Sequence, residues 1–459
     1  MSWTLDTLKS NLSKRTEVKA WIVSQEHVHR RERYFLNENP ALSQASLAVD
    51  QDRESHSQSI SARIFVHLGR DGRQGEITKK LFTALPLQPQ IDDAIAAALQ
   101  TDHQAWELPK DIPSQLPKVL TTDPRMAEDL EGSVKRLSDQ VREAVETKRA
   151  TAFNSAELFL SVQNRDVHLS NGLTHRASQS RIYVEAAYSM SKKLSSGEIQ
   201  SDEYLNTSWS VNEDDLAIGE LFQETSFRAE HSLDVKKPAT GKYSVIVDAE
   251  VLATLFNGHL GQLSAVSAYN RLPFVKIGES LIPDATGDLL TITLDPSLEF
   301  GADTAAVSDQ GLLQPKLELV KANQVVATCF DKQHADYLGA KPTTVRGNVV
   351  VEPGKLTHSE LTKQAPRVIE VLQFSGLFAD PNSGTFSSEI RLAKLYDNVA
   401  GTVTYLKGGS LSGSVTENFK GVRLSKETEK KAHFDVGSTR GSGYFGPKFA
   451  LLSDVSIVG

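Results

Sequence analysis

Residues 243–271 read YSVIVDAEVLATLFNGHLGQLSAVSAYNR. The first six residues form an apolar run that is typical of a buried strand. After it, apolar residues recur at helical spacing, which predicts a helix from about residue 249 to 269. The helix contains one histidine, His259. This strand and helix raise the question of whether His259 is part of a metal site.

The neighbours of His259 argue against a metal site on this helix. A helical zinc site of the hydrolytic type needs two histidines one turn apart and a glutamate beside the first histidine to activate water. The residues at this spacing from His259 are Thr254, Leu255, Leu263 and Ser264, and residue 260 is leucine. We therefore expect His259 to be a structural residue or to contact a bound peptide.

Composition limits the class of protein. The chain has 459 residues, a formal net charge of -8 and one cysteine, Cys329. This length predicts about two or three domains, and the acidic balance argues against nucleic acid as a partner. No apolar run is long enough to predict a membrane span, and the first residues, MSWTLDTLKSNLSKR, lack a secretory signal pattern. The single thiol fits a reducing compartment, so we predict a cytoplasmic protein.

The pattern along the chain predicts an α+β fold with two domains. We expect a mixed α/β N-terminal domain over residues 1–235, with a proline-rich connector at 105–125. We expect a β-rich C-terminal domain over residues 236–459 that contains the central helix. The segment DVKKPATGKYS (234–244) has the Lys, Pro and Gly content of a linker.

Several local patterns refine this picture. Alternating apolar residues from Ile60 to Leu68 predict a strand, and the pair Asp71-Gly72 after it predicts a hairpin turn. Asp123 followed by Pro124 predicts the start of a helix that runs to about Ala150.

Three other candidate sites have plain structural explanations. His27 and His29 fall on one face of a predicted strand, but the sequence RRER after them opposes a dication. The run GSGYFG (441–446) fits a dinucleotide-binding fingerprint only if a helix follows, and a strand is predicted there. We expect a glycine loop that borders a cleft. Cys329 has apolar neighbours, which predicts a buried, inert thiol.

The order of the segments resembles the TldD/PmbA family, in its PmbA (TldE) branch. The pieces that carry the resemblance are ARIFVHLGRDGRQGEITKKL, SNGLTHRASQSRIYVEAAYS, TGKYSVIVDAEVLATLFNGHLGQLSAVSAY, GESLIPDATGDLLTITLDP, SGLFADPNSGTFSSEIRLAKLY and FGPKFALLSDVSIVG. The resemblance covers nearly the whole chain. It implies a two-protein cytosolic metallopeptidase system, also labelled modulator of DNA gyrase, that removes leader peptides and degrades unstructured polypeptides.

The resemblance also implies where the zinc belongs. In this family a TldD-type subunit carries a His-Glu-x-x-x-His helix. That motif falls on residues 249–270 here, with its histidines near Gly258 and Leu263, and no register supplies both ligands. We therefore expect no catalytic or metal-ligating residue and no cofactor in this chain, with zinc in a TldD-like partner.

The expected partners follow from this role. They are a TldD-like subunit or a second copy of the chain, and an unfolded or leader peptide, with neither nucleic acid nor membrane. The cleft candidates are His259 and, from the loop predicted at 437–446, Arg440, Ser442 and Tyr444. Two alternatives remain open: a non-catalytic peptide-binding homodimer, and a free-standing hydrolase with ligands such as His27, His29 and His433.

Overall fold

The structure, a computed structural model, describes residues 3–38, 47–70, 72–435 and 440–459. Helices and strands mix along the chain, which confirms the predicted α+β class. None of the described helices has the length and apolar character needed to cross a membrane. The helices are α1 (Leu5–Lys14), α2 (Leu87–Leu99), α3 (Pro124–Glu128), α4 (Leu130–Glu146), α5 (Ile218–Glu230), α6 (Ala249–Leu260), α7 (Ala265–Asn270), α8 (Lys332–Leu338), α9 (His358–Leu361) and α10 (Val415–Asn418).

The strands form three sheets. Those of the first half of the chain are β1 (Val18–Asn37), β2 (Leu47–His67), β3 (Arg73–Leu81), β4 (His103–Gln104), β5 (Ala152–Leu169), β6 (Thr174–Lys193) and β7 (Ile199–Ser210). Those of the second half are β8 (Gly241–Asp248), β9 (Ile292–Asp295), β10 (Leu317–Lys321), β11 (Gln324–Val325), β12 (Asn348–Val351), β13 (Arg367–Phe374), β14 (Phe378–Ala379), β15 (Thr385–Asp397), β16 (Thr402–Leu406), β17 (Ser410–Ser414), β18 (Arg423–Leu424), β19 (Thr428–Phe434), β20 (Gly441–Pro447) and β21 (Phe449–Val458).

The first half of the chain forms one antiparallel sheet of seven strands, in the order β4-β3-β2-β1-β5-β6-β7. Helices α1 and α2 bury apolar residues against the inner ends of β1, β2 and β3. Helices α4 and α5 pack on β5, β6 and β7. Side chains alternate between the two faces of a strand. The face of the sheet opposite the helices packs against the connector and the second half of the chain, around Trp106 and Val307.

The second half of the chain encloses α6 between two sheets. One has the order β11-β10-β9-β12-β20-β19, and the other β13-β8-β21-β17-β15-β14. In the second sheet β13 also pairs with β15, so its strands form a closed circuit. The largest apolar cluster lies between the sheets and includes Leu252, Leu255 and Phe256 of α6. The predicted boundary at 235/236 falls between α5 and β8, and that division into domains stays a prediction.

Two predicted helices are interrupted. Asp123 does cap a helix, since its carboxylate accepts from Arg125 N at 2.9 Å. That helix ends at Glu128, however, because Asp129 leaves helical geometry and caps α4, accepting from Gly132 N at 2.9 Å. The predicted hairpin turn joins β2 to β3, with Asp71 outside the described residues and Gly72 at φ 70°.

The helix predicted over 249–269 is also broken. It continues from α6 as a short 3-10 segment, Gly261–Leu263, and restarts at α7, which Ser264 caps by accepting from Ser267 N at 3.2 Å. The break has a partner in the fold, because Cys329 N donates to Leu263 O and Ala265 N donates to Cys329 O. Half-buried Cys329 is part of this junction, and burial raises the pKa of its thiol to about 12.

Candidate functional site

Helix α6 is positioned at its first turn by a side-chain cap. β8 ends at Asp248, whose carboxylate accepts from Val251 N at 3.0 Å. An aspartate here also suits the positive end of the helix dipole. The residues that follow place an apolar stripe into the core, with His259 on the same buried face. The helix is therefore fixed at one end by a cap and along its length by packing.

His259 is a buried side chain. It is 2% exposed, and its Nδ1 lies 3.5 Å from Gln262 Nε2. Its Nε2 makes no hydrogen bond within the described part of the chain. Burial lowers the pKa of the imidazole, against a smaller opposite effect of the Leu281 backbone. The turn at Gly384 closes over the ring, since a Cβ at that glycine would lie 3.3 Å from Nδ1.

The donors on α6 do not fit the zinc ion that the family implies. Its possible ligands are His259 and Glu250, which are nine residues apart. At 1.5 Å per residue this separates their backbones by about 14 Å, whereas a zinc ligand lies about 2 Å from the ion. The positions one turn from His259 are Leu255 and Leu263, which are buried and have no donor atom. The donors of α6 therefore cannot reach one zinc ion together.

A charged pocket lies where the first turn of α6 meets the first half of the chain. We name it the α6 pocket; it consists of two adjoining cavities of about 260 Å³ each. Both cavities border β7 on one side and the start of α6 on the other. The charged residues that line them are Glu220, Glu224, Arg228, Asp248, Glu250, Glu370, Lys394, Glu429, Lys431 and Lys448.

The carboxyls of the α6 pocket differ in their affinity for protons. Glu250 opens into the pocket, yet the surrounding protein and then Asp248 raise its pKa. Buried Glu370 behaves in the opposite way. Burial opposes its charge, but hydrogen bonds from His358 Nε2 at 2.9 Å and Tyr396 OH at 2.6 Å outweigh burial and lower its pKa. The lining of the pocket thus contains one carboxyl with a raised pKa and one with a lowered pKa.

The predicted cleft residues do not share one environment in the structure. Residues 436–439 of the predicted loop lie outside the described residues. The prediction of a loop is wrong for Ser442 and Tyr444, which lie within strand β20. Tyr444 is 1% exposed, packs 6.4 Å from the ring of Phe256, and donates to Pro447 O at 3.0 Å. Burial raises the pKa of its hydroxyl.

The glycines explain why this segment is a strand. A Cβ at Gly443 would lie 1.9 Å from Oδ1 of Asn348, and one at Gly441 would lie 2.5 Å from the ring of Phe434. The glycines therefore serve the close approach of neighbouring side chains to β20. In a nucleotide-binding loop, glycines instead allow a phosphate group to approach the backbone closely.

Arg440 lies beside a second cavity, of about 540 Å³, which we name the arginine cleft. The cleft lies on the face of the seven-stranded sheet that faces away from the helices. Its walls are the connector residues 116–122, the strand residues Gln163, Arg165, Val167 and 175–179, the loop residues 304–307 and 309, and Arg346.

An ion-pair cluster lines one wall of the arginine cleft. Arg346 Nε lies 2.5 Å from Asp303 Oδ1, and Arg165 Nη1 lies 3.1 Å from Asp309 Oδ1. Arg440 reaches both carboxylates, at 3.7 and 3.9 Å. Burial raises the pKa of Asp303 despite these arginines. For Asp309 the charges of Arg346, Arg165 and Arg440 outweigh burial and lower its pKa.

A histidine in the same cleft has spare hydrogen-bonding capacity. The Nε2 atom of His175 is enclosed and makes no hydrogen bond within the described residues. Burial, and then the charge of Arg165, lower its pKa. A neutral imidazole and forked guanidinium groups can bind the carbonyl and carboxylate groups of a peptide.

Most of these residues could not be predicted from the sequence. Glu250, Lys431 and Arg165 are single charged residues in ordinary strand or helix patterns. They become neighbours only because the halves of the chain meet. The acidic first turn of α6 was visible as Asp248 and Glu250, but it is the usual pattern of a helix start. Of the predicted residues, Arg440 contacts Asp309 at the edge of the arginine cleft, and His259 and Tyr444 are buried.

Residues 240–459 match the sequence model of the PmbA/TldA metallopeptidase C-terminal domain. The C-terminal half of the chain therefore belongs to the TldD/PmbA family. The matched segment begins just before β8 and contains the whole of α6, including the positions discussed above. A curated metalloprotease of Methanothermobacter thermautotrophicus is 23% identical over 221 residues, which are 45% of this chain and 47% of that protein. The chain thus matches about half the length of that relative.

Solved structures share the complete fold. A proposed modulator of DNA gyrase from Bacteroides thetaiotaomicron superimposes with a TM-score of 0.76 at 16% identity, over 99% of both chains. TldE from Thermococcus kodakarensis gives 0.75 at 15% identity, over 99% of this chain and 100% of that one. A similar protein from Thermotoga maritima gives 0.72 at 16% identity, over 99% and 100%. Both halves of the chain therefore share the fold of these three structures.

Proposed function

We propose that this chain is a PmbA/TldE-type subunit of a metallopeptidase. It binds an unfolded or leader peptide, and a TldD-like partner supplies the zinc ion that cleaves the peptide. The observation that carries the proposal is the composition of α6. This helix lies inside the segment that matches the family, yet Leu255 and Leu263 stand one turn from His259.

The arginine cleft supports the binding part of the proposal. Its volume of about 540 Å³ lies in the range of cavities that bind small ligands, roughly 300–1,000 Å³, so it holds a short stretch of peptide. Extended peptides bind proteins largely through main-chain hydrogen bonds. The arginine groups that line the cleft offer such bonds without selecting one side chain, which suits a subunit that takes many unfolded sequences.

The test is reconstitution with a relative that carries the His-Glu-x-x-x-His helix. Each protein is purified alone, and the two are then mixed with an unfolded polypeptide such as denatured casein. We expect the pair to co-purify and to cleave only when both proteins are present. A chelator should stop cleavage, and zinc should restore it. A partner whose motif glutamate is replaced by glutamine should still bind this chain without cleaving.

A cleft variant tests the role of this chain. Ala177 is exposed and lines the arginine cleft, so Ala177→Trp fills it. We expect weaker peptide binding, measured by fluorescence anisotropy, with assembly unchanged. Ala127→Trp is the matched control, because Ala127 is exposed on α3.

Chelator-resistant cleavage by this chain alone would contradict the proposal. Peptide binding by a homodimer, without cleavage in any mixture, would establish the non-catalytic alternative.

A further inference from the structure

The outer part of the β1–β2 ladder holds two histidines and a glutamate on one face. His29 of β1 lies directly opposite His56 of β2, and Glu54 is two residues along β2. Because side chains two residues apart share a face of a strand, all three project to the same side. These side chains are 35%, 69% and 50% exposed. Both imidazoles and the carboxylate are therefore accessible to an ion from solvent.

The ligand atoms already converge. Glu54 Oε1 lies 2.8 Å from His29 Nε2 and 3.4 Å from His56 Nε2. The two imidazole rings stack with centroids 4.1 Å apart. Ligands about 2.0 Å from a tetrahedral ion are roughly 3.3 Å from one another. Both distances to Glu54 are within about 0.5 Å of that geometry, and all three ligand atoms lie within 4.8 Å of one another. Small rotations of the side chains would therefore admit an ion.

The surrounding charges permit a cation. The sequence RRER predicts strong repulsion of a cation, but in the structure two of these arginines are paired with carboxylates. Arg31 pairs with Asp52 and Glu131, and Arg33 pairs with Asp52. The arginines on this face are thus compensated, and Glu54 contributes a further negative charge. The Nε2 atom of His27 lies 3.0 Å from Gln25 Nε2.

We propose that His29, Glu54 and His56 form a zinc-type metal site on the β1–β2 ladder. Two imidazole nitrogens and one carboxylate oxygen are a common ligand set for Zn²⁺, with water in the fourth position. This differs from the expectation that the chain binds no metal. The site lies on the other half of the chain from α6 and is independent of the peptidase role proposed above.

Metal titration of the tag-free full-length chain tests the site. The protein is stripped with chelator and titrated with Co²⁺, whose visible absorption reports tetrahedral ligation, and then with Zn²⁺ in calorimetry. We expect one equivalent of each ion and displacement of Co²⁺ by Zn²⁺.

Ligand variants assign the site. Loss of an outer hydrogen-bond partner of a metal ligand lowers affinity about 10- to 100-fold. We therefore expect His29→Ala, His56→Ala and Glu54→Gln each to lower it at least ~100-fold. His103→Ala is the matched control, because it removes an exposed histidine on β4 and should leave the titration unchanged. Circular dichroism confirms that each variant is folded. The proposal is overturned if the native chain shows no saturable binding, or if the three variants bind like the control.

Discussion

The close contact between Gly443 and Asn348 predicts a large effect of one methyl group. The structure gives Gly443 no positive φ, so the backbone accepts alanine. A Cβ, however, would lie 1.9 Å from Oδ1 of Asn348. Asn348 is fully buried and holds the loop that follows β9. Its Oδ1 accepts from Asp303 N at 3.1 Å, and its Nδ2 donates to Asp295 O at 3.0 Å and Thr304 Oγ1 at 2.9 Å.

The size of the effect follows from these hydrogen bonds. Gly443→Ala must displace the Asn348 side chain and break the three bonds. Each is worth about 1 kcal/mol net, and a buried group left unpaired costs about 1–3 kcal/mol. We expect the free energy of unfolding to fall by about 3 kcal/mol. Without the clash, glycine to alanine would raise it by about 0.4–1 kcal/mol through the unfolded chain.

Urea unfolding followed by circular dichroism measures the effect. Gly219→Ala is the matched control, since nothing lies within 4 Å of a Cβ at Gly219; it should be neutral or stabilising. The double variant Gly443→Ala/Asn348→Ala should be no less stable than Asn348→Ala alone, because the smaller side chain leaves room for the methyl group. The reasoning is refuted if Gly443→Ala lies within about 1 kcal/mol of the native chain, or if the two changes are additive.

Three further predictions concern α6 and its surroundings. Asp248→Ala should lower the free energy of unfolding by about 1 kcal/mol through loss of the cap, whereas Asp248→Asn should retain most of it; equal effects in urea unfolding would contradict the capping role. Glu370 has a pKa below its ordinary 4.5, so its stabilisation is full above that pH and is lost as the pH falls toward the folded pKa. The stability difference between the native chain and Glu370→Gln should therefore narrow below pH 4.5, and a constant difference in unfolding midpoints would refute this. Because burial raises the pKa of Cys329 to about 12, iodoacetamide at pH 8 should label it only after unfolding, as judged by mass spectrometry, and rapid labelling of the folded chain would contradict its burial.

The sequence predicts a helix or strand correctly where a single local pattern determines it. The apolar stripe of Val134, Leu137 and Val141 marks α4, and all three are buried. The glycine-rich segment was assigned to a loop because glycine usually marks turns. In the structure, tertiary contacts override this preference, since Phe434 and Asn348 occupy the space that side chains of β20 would fill.

The helix breaks and the clefts could not be predicted from local patterns, because they depend on contacts between residues that are far apart in the sequence. Ser264 looks like an ordinary helical residue until Cys329, 65 positions later, pairs with the segment around it. The arginine cleft likewise joins Arg165 to Asp309 across the two halves of the chain. Only the absence of ligands beside His259 could be stated from the sequence, because helical spacing alone fixes which residues share a turn.

The β1–β2 ladder changes character along its length. Its inner part buries Val23, Ile64 and Val66, whereas residues 49–58 of β2 are exposed on both faces. A one-residue slip in the inner part would turn apolar side chains toward water, so hydrophobicity dictates the alignment there. The exposed part of the ladder has no such preference. Its register follows from the register of the inner part and is supported by cross-strand ion pairs such as that between Arg31 and Asp52. The buried inner part of the ladder therefore determines the register. The outer part is a two-stranded polar ribbon, and its charged side chains disfavour pairing with strands of other molecules.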